Sequence, residues 1–199
     1  VLVFCSILII TSGTIFAQKT TIIHAGKLLA VPGSGVTTTQ TIVIEKGKIT
    51  AVLNGYLNPV ELGYSLENCE LVDLKEQFVM PGFIDTHITG ERDPNKNPHE
   101  WTTLNDQDEA FQTIPYLKIT LNAGFTTVRN LGADYKNINA IKRAIQKGYI
   151  EGPRVISSNG AISATGGHGD SHGYRYEISN AFEKSVGVCD GADDCRRAV

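Results

Sequence analysis

The sequence predicts an α/β chain in two parts. A small antiparallel β-domain covers residues 18–80, and parallel βα units cover residues 81–199. Three observations carry that reading. Short runs rich in Val, Ile and Thr, punctuated by Gly, fill the stretch before Met80. After Pro81, strand-like and helix-like patterns alternate, which places βα units on a parallel sheet. Only three such units follow, whereas an eight-stranded barrel takes roughly 250 residues.

The chain opens with Val1 to Ala17, VLVFCSILIITSGTIFA, which carries no charge. It is shorter than the roughly 20 apolar residues that span a bilayer, and Ser6, Thr11, Ser12 and Gly13 dilute it. It reads as the apolar region of a signal peptide, cleaved after Ala17, with its basic start expected upstream of Val1. A buried strand or helix is the alternative. On the first reading the protein is exported, to a periplasmic or extracellular location. Thr21–Ile23 and Lys27–Ala30 are then expected as two strands separated by Ala25-Gly26. A loop over residues 31–35 leads to Gln40–Glu45, and Lys46-Gly47 turns the chain into Lys48–Leu53. Leu71–Asp73 and Gln77–Met80 supply two more short strands.

Phe83-Ile84-Asp85 begins the first strand of the second part. A helix is expected over Asp106–Ala123, with Phe111, Ile114, Leu117 and Leu121 on one face. Asp106 and Glu109 have capping-box spacing, Gly124 closes the helix, and Pro115 is expected to kink or split it. Thr126–Arg129 is a strand. Asn137–Lys147 is a helix that turns Ile138, Ile141 and Ile145 inward and stops at Gly148. Arg154–Ser158 is the third strand, and a further helix starts at Gly191.

Charge excludes one class of function. Eighteen basic against twenty-one acidic residues leave no basic face, so nucleic acid is not a partner. Cys189 and Cys195 are close enough for a short local bridge, and two unpaired thiols fit the spacing equally; Cys69 stands alone.

In parallel α/β folds the reactive groups stand at the C-terminal ends of the strands. Three segments occupy such ends: Asp85–Thr89, Arg129–Gly132, and Asn159–Gly173 with the text NGAISATGGHGDSHG. Val79-Met80-Pro81-Gly82-Phe83-Ile84-Asp85-Thr86-His87 resembles the signature that opens the barrel in the amidohydrolase superfamily. The β-segment before it, with Gly47-Lys48-Ile49 and Asp73-Leu74, resembles that superfamily's N-terminal β-sandwich part. Ala123–Asn130 and Thr165-Gly166-Gly167-His168-Gly169 look like the imidazolonepropionase-related branch, which includes secreted Xaa-Pro and Xaa-Arg dipeptidase-like members.

The resemblance implies a β-sandwich followed by an incomplete TIM-type (β/α) barrel, from a metal-dependent hydrolase of carbon–nitrogen bonds. The substrate would be a cyclic amide or a dipeptide-like amide. One or two divalent metals, zinc above all, would activate a water so that hydroxide attacks the carbonyl. His87 is the one metal ligand that carries over, and a polar strand-end His bonded to backbone or solvent is its bland alternative. The catalytic Asp and the other ligands are expected beyond Val199, so no catalytic residue falls within the chain and residues 18–199 alone are expected to be inactive. His168 and Gly167, on the Gly-rich loop, are substrate-binding candidates, against a solvated loop His. Arg129 fits either a substrate carboxylate or a structural ion pair. His172 is a weaker candidate, and His24 and His99 read as structural or surface residues.

The family pattern places a second His two residues after the first; here Thr89 stands there, either because two residues are lost and the pair is merged into His87, the simpler account, or because Thr replaces His. A Thr hydroxyl is a poor zinc ligand, so a weakened metal site is expected. A deaminase on the same scaffold, and a non-catalytic secreted binder, are the competing functions. A homo-oligomer is compatible with all three.

Overall fold

A computed structural model describes residues 19–88, 100–170, 173–179 and 187–199. The expected signal segment Val1–Ala17, and Thr89, His99 and His172, lie outside the described residues. The chain divides between Pro81 and Gly82 into two compact units.

The first unit is a four-stranded sheet of β1 (Thr20–Leu28), β2 (Thr37–Glu45), β3 (Lys48–Asn54) and β4 (Cys69–Val79), in the order β3-β2-β1-β4. The hairpin between β2 and β3 turns on Lys46 and Gly47, both at positive φ (51° and 72°), the backbone that tight hairpins require. β2 is antiparallel to β1 and β3, but β4 runs parallel to β1. The sheet is therefore mixed, where an antiparallel one was expected. The chain leaves β3 and passes through residues 55–68 before it pairs with the far side of β1.

Two further expectations fail here. Ala25-Gly26 does not separate two strands, because β1 runs through it with a register shift between Ala25 and Lys27. A Cβ on Gly26 would sit 1.7 Å from the Lys75 carbonyl oxygen, so this glycine allows β4 to approach at a bulge instead of making a turn. Leu71–Asp73 and Gln77–Met80 are likewise pieces of one strand, β4, with Met80 just past its end.

Ala25, Leu28 and Ile42 form the core of one face of the sheet, joined by Ile23, Ile44 and Val79. On the other face His24 and Thr41 are buried opposite each other. There Leu57 donates its N–H to Thr41 Oγ1 (2.9 Å), and Thr41 donates its hydroxyl to Gly55 O (2.7 Å). His24 Nε2 lies 2.8 Å from Leu57 O, and its ring stacks at 5.2 Å on Tyr56. His24 is thus a structural residue, the first of the two roles expected for it.

The second unit is built on a three-stranded parallel sheet, β5 (Phe83–Ile88), β6 (Phe125–Asn130) and β7 (Arg154–Ser157), in that order. Helix α1 (Asp106–Asn122) joins β5 to β6, and α2 (Tyr135–Gln146) joins β6 to β7. Two shorter helices follow, α3 (Tyr176–Ser179) and α4 (Ala192–Ala198). No described helix is long and apolar enough to cross a membrane.

The capping box of α1 is Asn105 with Asp108, one residue earlier than the expected Asp106 and Glu109. Asn105 Oδ1 accepts the N–H groups of Gln107 and Asp108, and Asp108 accepts the N–H of Asn105. Pro115 lies inside α1 at an exposed position and does not split it. Of the expected apolar face only Leu117 is buried, Ile114 and Leu121 are half-buried, and Phe111 is exposed.

Helix α2 starts at Asp134, whose carboxylate accepts the N–H groups of Lys136 and Asn137. Its expected inward face holds: Ile138 and Ile141 are buried and Ile145 is half-buried. Gly124 and Gly148, both at positive φ, follow the two helix ends. Val128, Ile138 and Val155 make the core, packed by Ile88, Phe125, Ala133 and Ile145.

Candidate active site at the strand ends

The first strand ends on Asp85-Thr86-His87-Ile88. Asp85 Oδ1 accepts the backbone N–H of His87 at 2.9 Å, so the carboxylate shapes the chain under the exposed imidazole. Arg129, on the neighbouring strand, donates its Nε–H to the Thr86 carbonyl oxygen at 2.7 Å. The guanidinium thus ties the ends of β5 and β6 together beside His87. That contact is to backbone, and it differs from both roles expected for Arg129, a carboxylate receptor and an ion pair.

Asn130 and Asn159 organise the next two strand ends, roles to which the sequence reading assigned neither residue. Asn130 is buried, and its side-chain oxygen accepts the Gly132 N–H at 3.1 Å. Its backbone oxygen accepts the Ser158 N–H at 3.0 Å. Asn159 sits at φ 68°, accepts Ala133 N–H at 3.2 Å on its carbonyl, and accepts Asn139 Nδ2–H at 2.9 Å on its side chain. Asn tolerates this left-handed backbone better than most residues. An Asn that follows a strand and precedes Gly, as in Asn159-Gly160, is the pattern that could have pointed to it.

The Gly-rich segment beyond β7 is folded on itself. Gly167 N–H bonds Ala164 O (2.9 Å), Gly169 N–H bonds Ser163 Oγ (3.1 Å) and Gly166 N–H bonds Asp170 Oδ2 (2.8 Å). A Cβ on Gly167 would lie 2.4 Å from Ser163 Oγ, so only glycine fits this turn. His168 is exposed at its tip. Cys189 and Cys195 are bridged, with Cα atoms 5.0 Å apart, which resolves the alternatives the spacing left open.

Among the described residues no three His, Cys, Asp or Glu side chains come together in a way that could hold a metal ion. His87 offers one ligand position and not a site, so no chemical step is assigned through an ion in this chain. An open cavity of about 510 Å³, lined by Lys142, Ile145, Gln146, Arg154, Val155 and Ile156, flanks β7 between that edge strand and α2. It borders the sheet edge.

Three parallel strands joined by helices, preceded by a separate β-unit, define a mixed α/β chain. The amidohydrolase family model matches residues 78–198, and the chain belongs to that family. It is similar to ochratoxinase of Aspergillus niger, with 28% identity over 196 residues, 91% of this chain and 39% of that protein. An adenine deaminase of Desulforamulus reducens is 30% identical over 131 residues, 64% of this chain and 19% of that protein. Among solved structures, a Xaa-Pro dipeptidase with methionine bound in its active site superimposes with a TM-score of 0.74 at 26% identity, covering 90% of this chain and 44% of that one. The chain therefore spans about two fifths of the curated ochratoxinase that it matches.

Proposed function

We propose that this chain is the β-sandwich part and opening barrel strands of a hydrolase that cleaves a carbon–nitrogen bond in a small amide or dipeptide-like substrate. The observation that carries the proposal is the set of strand-end groups in a chain of the amidohydrolase family: His87 beside the Arg129–Thr86 tie, and His168 on a glycine turn. The likeness to a Xaa-Pro dipeptidase supports a dipeptide-like substrate. A divalent metal, zinc in the first place, supplies an activated water in such enzymes. His87 would be one of its ligands, the others coming from outside this chain. His168 and Gly167 would meet the substrate, the glycine because its bare backbone permits close approach. The Arg129 Nε–H is committed to Thr86, so Arg129 holds the His87 strand end in place and would reach substrate only with its remaining N–H groups.

The Cys189–Cys195 bridge supports an oxidising compartment, in keeping with export. The adenine deaminase relative favours a second reading, deamination on the same scaffold. Assaying the full-length protein against N-acyl amino acids and Xaa-Pro dipeptides, with adenine in parallel, separates the two. Release of free amino acid supports the amide reading. Ammonia from adenine, with no amide cleavage, overturns it. Saturable binding of these compounds without turnover points to a binder.

A further inference from the structure

Among the described residues, the short segment Gly187–Asp190 anchors the Gly-rich loop with His168 from outside. Ser163 donates its N–H to Gly187 O (3.0 Å) and accepts the Cys189 N–H on its own carbonyl (2.9 Å), so Ser163 and Val188 form a parallel bridge. Two residues on, Thr165 donates both its N–H (3.0 Å) and its hydroxyl (2.5 Å) to the two carboxylate oxygens of Asp190. Gly187 makes this approach possible, since a Cβ there would fall 1.8 Å from Ala161 O. Every one of these anchors lies in Gly187–Asp190, and Cys189 is covalently closed onto Cys195 in α4. Asp190 is held in turn by its N–H to Asp194 Oδ2 (2.9 Å), inside the loop that the disulfide closes. Val188 and Cys189 are buried, while Cys195 is only half-buried and open to a small reductant.

We infer that the Cys189–Cys195 disulfide is a redox-sensitive clamp on the His168 loop, acting through the Asp190–Thr165 pair. Closed, it fixes the backbone on both sides of Asp190, and the carboxylate presents both oxygens to Thr165. Reduction breaks the sulfur–sulfur bond. A dithiol supplies two electrons and two protons, leaves as its own cyclic disulfide, and two cysteine thiols remain. The segment then keeps its hydrogen bonds but loses the covalent limit on its excursions, and the loop frays from Thr165 outward. Asp190 is a positioning residue on this account. It touches the loop and not the substrate.

The test uses the full-length protein, oxidised, reduced with dithiothreitol and then reoxidised, followed by hydrogen exchange. Amides of residues 163–170 are expected to lose protection about tenfold or more on reduction, the order that closing a short loop is worth, and to regain it on reoxidation. Amides of β6 and α2 report that the fold is intact. Thr165→Val in the oxidised protein should loosen the same residues without touching the disulfide. Unchanged protection of residues 163–170 on reduction overturns the clamp.

The kinetic arm rests on the substrate reading of His168 given above. There, reduction should raise KM for an amide substrate more than it lowers kcat. If the loop loosens and KM stays constant, the clamp stands and the substrate role of His168 falls.

Discussion

Gly82→Ala probes the point where the chain enters the strand that carries His87. An added Cβ would lie 2.2 Å from both Cγ2 and Oγ1 of Thr126, and 2.7 Å from Thr126 Cβ. Rotating the threonine side chain moves the first two atoms but not the third, so the backbone of β5 or β6 must yield. Contacts under 3.0 Å between such atoms are essentially never seen, so the strands have to part by several tenths of an ångström at least. The same end of the sheet is fixed by the Phe83 N–H to Gly124 O bond (2.8 Å) and by the Phe83–Phe125 ring pair at 5.5 Å. Both are strained by any such shift. Overpacking of this kind costs about 1–3 kcal/mol. The assay is urea denaturation of the full-length protein, read as the shift in midpoint at constant slope. Thr126→Gly removes all three clashing atoms, so in the double variant the cost of Gly82→Ala should largely vanish. The cycle should show a favourable coupling of about 1 kcal/mol or more. Equal cost for Gly82→Ala with and without the Thr126 side chain would refute the steric reasoning, as would a Gly82→Ala protein as stable as the native one.

Val128→Ala empties the centre of the cluster shared with Ile138 and Val155, and should destabilise by about 2 kcal/mol in the same denaturation assay. Asn105→Ala removes the acceptor for two N–H groups at the start of α1 and should cost about 1 kcal/mol, with Asn105→Asp close to neutral. Asp73 predicts an acid limb. The Lys75 backbone N–H (3.0 Å) and ammonium (3.3 Å) hold its carboxyl below the ordinary aspartate value. Because the folded value is the lower one, the stabilisation is present above the unfolded value of about 3.9 and is lost as pH falls through the folded value. Native protein should therefore be more stable than Asp73→Asn at neutral pH, and the two curves should converge in acid below about pH 4. Parallel curves would exclude that role for Asp73.

Local chemistry makes much of the second unit legible. Val128 in its β-branched run, the Ile138–Ile141–Ile145 spacing and the glycines at 124 and 148 each have one structural meaning, and each takes it. Gly26 does not have one meaning. With Ala25 it reads as a break between two strands, and only the passage of Lys75 against it shows a bulge. The parallel pairing of β4 with β1 joins segments 49 residues apart, as in Thr20 with Cys69, and no local pattern encodes it. The cap of α1 falls one residue from its expected place because Asn105, Asp106, Asp108 and Glu109 all carry capping chemistry, and backbone geometry chooses among them. At the strand ends, the His, Arg and Gly residues are conspicuous by type. The role of Arg129 is not, since a cation does not declare that its partner is a carbonyl oxygen. The Asp190–Thr165 pair spans 25 residues and follows from the folding of two loops together.

Zinc content tests most directly whether His87 is a metal ligand in a hydrolase of carbon–nitrogen bonds. Full-length native protein and His87→Ala are dialysed against buffered zinc, and bound metal is measured alongside hydrolysis of an amide substrate. Bound zinc is expected in the native protein. His87→Ala is expected to lose affinity beyond the roughly 10–100-fold typical of residues one step removed from a metal, with hydrolysis falling in parallel. Inserting Val-His after His87 should raise zinc retention above native. Equal zinc content and equal hydrolysis in native protein and His87→Ala would contradict the assignment.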